Sequence, residues 1–235
     1  MSPVGRDGPV TRETPGTPTP LPTVGRVQDE ECDGLWYVAY GSNLCRDRLM
    51  AYLCGTVAPD RPGAAGGADR PGPASARFGP HRGGPDPTPP RADLWCAIDH
   101  RVTFRGRSRR WGGGVAFLDL HPTPGTATEA RAWLLTAAQV VGLAGQEARL
   151  RRDPDPALLQ DLGPPGSTVT LGGGWYDTLL RLPDLEGRRA VTVTTAQDLP
   201  ATAPTPAYLA TIEAGRAERP GRGGTSAAAA RGSAP

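Results

Sequence analysis

Leu35-Trp36-Tyr37-Val38-Ala39-Tyr40-Gly41-Ser42-Asn43-Leu44 is the stretch around which the chain organises itself. Its first five residues form an unbroken apolar run, the pattern of a buried strand. The small polar residues after it read as a turn whose consecutive N–H groups can face outward, and such a turn can hold an anion. Composition sharpens the point. The chain has no lysine, all 26 of its basic residues being arginine, and Asn43 is its only asparagine. With Ala, Gly and Pro abundant, this looks like the codon pressure of a very GC-rich genome. A lone Asn under that pressure points to a task that Asp or Ser cannot perform.

The totals bound the rest. A length of 235 residues allows one or two domains, and 32 Gly with 27 Pro argue that a good part of the chain packs no core, leaving one domain of moderate size. The net charge of +2, with arginine interspersed among acids, lacks the clustered basic face of a nucleic-acid binder. The one dense basic patch, Arg105, Arg107, Arg109 and Arg110, reads as a solvated loop before a strand, or else as an anion or nucleic-acid contact. Cys32, Cys45, Cys54 and Cys96 have no metal-ligand spacing and read as reduced, partly buried thiols. His81, His100 and His121 sit in no metal-ligand motif, which counts against a zinc-dependent hydrolase. No apolar run approaches the roughly 18 residues of a membrane span, and the start of the chain lacks a charged and apolar leader. A cytoplasmic protein with neither membrane nor nucleic-acid partner is expected.

Outward from the opening stretch, residues 1–34 are rich in Pro, Thr and Gly without apolar period and are expected to form a disordered arm, as is a tail over 218–235. The domain spans 35–217. Leu44, Arg48, Leu49 and Leu53 recur at helical spacing, so a short helix follows the turn. Residues 56–92 form a Pro-, Gly- and Arg-rich insertion, read as a flexible lid or as ballast. Strands are expected over 94–104, 114–120, 129–135, 169–171, 175–182 and 190–195, the last two joined by a turn at Glu186-Gly187. Thr136 stands as N-cap of a helix running to about Arg151, and the 204–214 segment begins extended and continues as a helix carrying Tyr208.

Three elements carry chemistry. The Tyr40–Leu44 loop can bind a carboxylate or stabilise an oxyanion, with Ser42 and Asn43 adding side-chain hydrogen bonds, unless Asn43 only serves the turn or caps the helix. Glu147 shares a helix face with Val140 and Leu143. A carboxyl group among apolar neighbours has its charged form disfavoured, which suits acid/base work; pairing with Arg149 or Arg151 is the bland alternative. Tyr208 is either a phenolic donor to substrate or Glu147, or a core aromatic.

Taken whole, the pattern resembles the γ-glutamylcyclotransferase-like family. The resemblance rests on Tyr40-Gly41-Ser42-Asn43-Leu44 after a strand, on Gly112-Gly113-Gly114-Val115-Ala116-Phe117-Leu118, on Ala132-Trp133-Leu134-Leu135 followed by Gln146-Glu147, and on Pro204-Thr205-Pro206-Ala207-Tyr208. It spans residues 35 to about 215 in the family's order and looks closest to an actinobacterial branch with a long insertion. It implies an α+β fold, a small twisted mixed β-barrel flanked by helices, with one cavity lined by the strand-end loop and a glutamate-bearing helix. Glu147 is then the matching acid/base residue, and Tyr40, Gly41, Ser42, Asn43, Leu44 and Tyr208 line the substrate site. The implied reaction closes a γ-glutamyl amine or amide to 5-oxoproline and releases an amine or amino acid, with no cofactor and no metal; the only implied partner is the small γ-glutamyl substrate. The alternative is a non-catalytic module on the same fold that binds a small carboxylate or a protein. One departure stands out: the family has an acidic or Gly residue around its glutamate, where this chain has Ala144-Gly145-Gln146-Glu147-Ala148-Arg149.

Overall fold

The computed structural model describes residues 34–56 and 78–221. Residues 1–33 of the expected arm, residues 57–77 of the insertion and the expected tail beyond residue 221 lie outside the described residues; residues 218–221 of that tail are described, and Glu218 is ion-paired with Arg131.

Strand β1 (Leu35–Ala39) is the middle of the molecule. It runs antiparallel to β5 (Thr128–Leu135) on one side and parallel to β8 (Arg188–Thr194) on the other. With β2 (Ala92–Ile98), β7 (Thr178–Leu185) and β6 (Thr168–Thr170) these form a six-stranded sheet in the order β2-β5-β1-β8-β7-β6. All five residues of β1 are buried because both faces of the sheet are covered. Alternation along the strand divides them. Leu35, Tyr37 and Ala39 enter a core closed by helices α1 (Arg46–Cys54) and α2 (Ala137–Glu147). Trp36, Val38 and Tyr40 enter a second core, closed by a ribbon of β3 (Val102–Arg105) and β4 (Val115–Leu118) and by helix α3 (Pro206–Ala217). Each fully buried aliphatic or aromatic side chain contributes roughly 1.5–3 kcal/mol, so the unbroken apolar run holds two cores at once.

The α+β class holds, but the sheet does not close into a barrel. Strands β2 and β6 are its edges, and the β3–β4 ribbon is a separate two-stranded sheet. The ribbon reaches the main sheet through a side chain. Leu118 N–H donates to Thr194 Oγ1 at 3.0 Å, and the same hydroxyl donates to Leu118 O at 2.6 Å. A hydroxyl in place of a ladder partner satisfies the backbone without extending the sheet.

Three boundaries also move. The strand expected over 94–104 is two, because buried His100 holds a corner between β2 and β3 with its Nδ1 2.8 Å from Asp119 O. The strand expected from Trp175 begins at Thr178. Helix α2 stops at Glu147 rather than near Arg151. Its start is the expected Thr136, in a capping box with Gln139. Its end is a Schellman turn, in which Leu150 N–H donates to Gly145 O and Arg149 N–H to Gln146 O, with Arg149 at φ +57°. The Glu186-Gly187 turn joins β7 to β8 as expected, with φ positive at both residues, as a type I′ hairpin turn requires. Among the described residues no helix is long and apolar enough to cross a membrane.

Residues 78–91 lead from the insertion into β2 along the rim of the α1–α2 layer. Phe78 is buried, Gly84 N–H donates to Leu53 O, and Thr56 is bonded to both Gly79 and His81. This path brings the end of the insertion to the mouth of the site.

Candidate active site

The chain leaves β1 through Tyr40 and Gly41 into a single 3-10 turn, Ser42–Leu44. The Leu44 N–H closes the turn on Gly41 O, whereas the N–H groups of Ser42 and Asn43 have no partner within it. Two residues of β5 hold the turn from below. Trp133 Nε1 donates to Asn43 O at 3.0 Å and Arg131 Nη1 to Leu44 O at 3.1 Å. Arg131 stacks on the Trp133 ring at 3.8 Å and is ion-paired with Asp93 and with Glu218, just past the end of α3. From the other side α3 packs so closely that a Cβ on Gly215 would fall 2.4 Å from Cys45 N.

Asn43 comes out buried at the foot of this turn, facing Glu147. Its Nδ2 donates to Tyr37 Oη at 3.0 Å and to Glu147 Oε1 at 3.1 Å, across 104 positions of sequence. That geometry explains why the lone asparagine is not an aspartate. An amide can donate to the carboxylate; a second carboxylate at that distance would repel it. Glu147 is the last residue of α2 and is half-buried.

All five tyrosines of the chain gather around this pair. Tyr37, Tyr40, Tyr176 and Tyr208 line a small crevice with Gly41, Ser42, Asn43 and Glu147, and Tyr52, Tyr176 and Tyr208 line the larger cavity beside it, of about 360 Å³. Burial, and after it the negative charge of Glu147, push the Tyr37 and Tyr52 hydroxyls above the usual tyrosine range. Burial likewise raises Tyr208, against the Ala116 N–H that donates to its oxygen at 3.1 Å. All three therefore stay protonated donors near neutrality.

The residues singled out in the sequence divide. Tyr40, Gly41, Ser42, Asn43, Tyr208 and Glu147 meet at the two cavities. Leu44 does not, since its side chain is fully buried in the second core and only its backbone serves the turn. Tyr208 touches Ala116 and the space over Gly41, where an added Cβ would lie 3.1 Å from its hydroxyl; its hydrogen bond is to the backbone of β4, not to Glu147.

Several lining residues escaped the sequence reading. Arg48 is only 4% exposed and donates from Nη2 to Tyr52 Oη at 2.8 Å and from Nη1 to His81 Nε2. Arg110, from the dense basic patch, donates to the same His81 nitrogen at 3.1 Å. Gln146 ties α2 to α1 by donating to Tyr52 O at 3.0 Å and reaches Gly83 O at 3.4 Å. Arg48 had left a signal, a charged residue inside an apolar helical stripe. His81 left none, because nothing in an irregular Pro- and Gly-rich run says where it folds back.

No family model and no curated protein matches the chain. Among solved structures, it is similar to an uncharacterized protein from Homo sapiens at 17% identity, over 79% of this chain and 80% of that one, with a TM-score of 0.42. It is similar at 15% identity to a structure described as a gamma-glutamyl cyclotransferase, over 79% of each chain, with a TM-score of 0.43.

Proposed function

We propose that the protein is a γ-glutamylcyclotransferase-type enzyme, which closes the γ-glutamyl part of a small amide or amine conjugate to 5-oxoproline and releases the amine. One observation carries this reading: the Asn43–Glu147 hydrogen bond, which joins the strand-end turn to the only carboxylate among the described residues that line the cavity. The order of motifs from Tyr40 to Tyr208 supports it.

In this reading Glu147 takes a proton from the substrate's α-ammonium group. The freed amine attacks the γ-carbonyl carbon of the same molecule, a C–N bond closes the five-membered lactam, and the original C–N bond breaks as Glu147 returns the proton to the departing nitrogen. Nucleophile and electrophile already sit in one molecule, so holding it folded supplies much of the rate. The N–H groups of Ser42 and Asn43, which the turn itself leaves unbonded, are suited to the glutamyl carboxylate. Asn43 fixes the glutamate oxygen, and the protonated hydroxyls of Tyr37 and Tyr52 offset its charge.

The test is 5-oxoproline release from a panel of γ-glutamyl compounds by the wild-type protein and by Glu147→Gln. Glutamine keeps the shape and cannot cycle a proton, so product formation is expected to fall by ~1,000-fold while ligand still binds. Turnover unchanged in E147Q would sink the assignment. No product from any compound, with ligand still bound, would leave a carboxylate-binding module.

A further inference from the structure

Residues 78–91 cross the rim of the helical layer without a helix or a strand, and the two halves of this segment are held by different chemistry. The later half is seated on the start of α2. Gln139 Nε2 donates to Thr88 O at 2.8 Å and Thr136 Oγ1 to Asp86 Oδ2 at 3.2 Å. Hydrogen bonds from Thr88 hold the Asp86 carboxyl below the usual carboxylate range, so this seat keeps its charge between pH 7 and 5. The earlier half covers the cavity, whose lining includes Pro80, His81 and Arg82. Its backbone closes on the end of α1, where Thr56 N–H donates to His81 O at 3.0 Å and Gly84 N–H to Leu53 O at 2.9 Å. Arg82 is paired with Asp153 at the surface, where an ion pair contributes little.

His81 is the polar side chain that the earlier half turns inward. Its Nε2 lies against Nη1 of Arg48 and, at 3.1 Å, against Nη1 of Arg110. A guanidinium group can only donate, so Nε2 is an acceptor and the ring proton is on Nδ1. A second proton would turn Nε2 into a donor facing two donors and set a positive charge between two others. The remaining charged or titratable groups around the ring are Tyr52, whose ring lies 4.2 Å away, and Glu147 and Arg149 in the same cavity lining. Glu147 is the one acid among these, and it is engaged by Asn43. Burial, and after it Arg48 and Arg110, push the imidazole down to about 3. The contact is therefore made by the neutral ring alone.

We propose that residues 78–84 are a strap that closes the cavity, latched by neutral His81 between Arg48 and Arg110 and released when the imidazole takes a proton, with residues 85–91 as its fixed end. The release does not depend on which reaction the cavity runs; its control of turnover rests on the cyclotransferase reading. An opened strap returns the imidazole to water and to its ordinary value of 6.5, so between 6.5 and about 3 the open form binds more protons than the closed one. The latch is at full strength above pH 6.5, and its closing constant falls by up to about tenfold for each unit below.

Hydrogen exchange on the full chain tests this without turnover. Between pH 7 and 5, corrected for intrinsic rates, protection of the Thr56 and Gly84 amides is expected to fall ~20-fold in the wild type while the amides of β1 hold theirs. His81→Gln keeps an acceptor that cannot titrate, so its strap should lose no more than about 3-fold. Arg110→Gln keeps a donor and removes one of the two charges, so its loss should shrink to about 5-fold. Wild-type protection that ignores pH overturns the latch, and so does the full wild-type loss repeated in H81Q. If H81Q leaves the strap open even at pH 7, R110Q decides, and a loss equal to that of the wild type overturns the proposal. Trp111 packs against the cluster of Phe78 and lines the cavity. Acrylamide quenching, taken as the difference between the wild type and Trp111→Phe, should therefore rise at pH 5 as the strap opens. Lost protection without that rise overturns the closure of the cavity. A strap that opens as expected in a protein that releases no 5-oxoproline leaves the latch standing and sinks the cyclotransferase reading alone.

Discussion

The crevice and the larger cavity beside it have walls built in different ways. One, carrying Tyr37, Tyr40, Ser42, Asn43 and Glu147, comes from the end of a central strand, the turn after it and the last residue of a helix. The other, carrying Arg48, His81, Arg110 and Arg149, draws on a helix, the end of an insertion, a loop before β4 and a strained helix exit. The first is dense with tyrosine hydroxyls around one carboxylate, the second with guanidinium groups that have no carboxylate partner among the described residues, around one neutral imidazole. The difference teaches that regular elements here hold the one carboxylate among the described lining residues, while irregular segments bring the basic side chains to it, as loops on a rigid scaffold commonly do.

Glu147→Gln should have the largest effect, removing proton transfer and lowering 5-oxoproline formation by ~1,000-fold, or about 4 kcal/mol, within the usual range for general acid–base groups. A loss confined to KM would mean that the first wall only binds. Next comes Asn43→Asp. It replaces the amide 3.1 Å from Glu147 Oε1 with a second carboxyl, so the pair should share a proton and activity should fall by ~100-fold at neutral pH. A pH–rate profile identical to wild type would break the claim that the amide is there for the carboxylate.

Gly215→Ala probes the support of that wall. The added Cβ would meet Cys45 N at 2.4 Å and the Leu44 carbonyl carbon at 2.5 Å, so either helix or turn must shift at a cost of about 1–3 kcal/mol. Denaturant unfolding reads the loss, and full stability would show that α3 is not what seats the turn.

The smallest effect belongs to the second wall. His81 in the folded chain titrates near 3, well below the unfolded value of 6.5, so between these values the unfolded state binds more protons. The stability it contributes is fully present above pH 6.5 and drains away as pH falls toward 3. On acidification from pH 7 to 4.5, wild type should lose about 2–4 °C more in melting temperature than His81→Gln, which cannot titrate; partial exposure keeps the difference small. Parallel losses would remove His81 as the uncharged spacer between the arginines.

Legibility in the sequence followed the same division. The apolar run at 35–39, the Thr136 cap, the Glu186-Gly187 turn and the helical periods of α1 and α2 are local signals, and local physics honoured them. Closure of the sheet was not legible, because it turns on whether β4 meets Thr194 through a backbone ladder or a hydroxyl. Nor was the exit of α2, where Arg149 takes a conformation that glycine would have announced. Arg110 could be seen only as part of a basic patch. Its meeting with Arg48 at one histidine depends on where residues 78–84 run, and a Pro- and Gly-rich segment carries no period from which to read that.

The side-chain stitching of β4 has a dynamic consequence. Two of its amides, Ala116 and Leu118, are bonded to Tyr208 of α3 and Thr194 of β8 rather than to a strand. Their protection from hydrogen exchange therefore depends on side-chain hydroxyls of other elements rather than on a strand ladder. If α3 lifts, Ala116 opens to solvent, and the turn carrying Asn43 loses the helix against which it rests. Exchange at that one amide would act as a clock for the opening of the whole site.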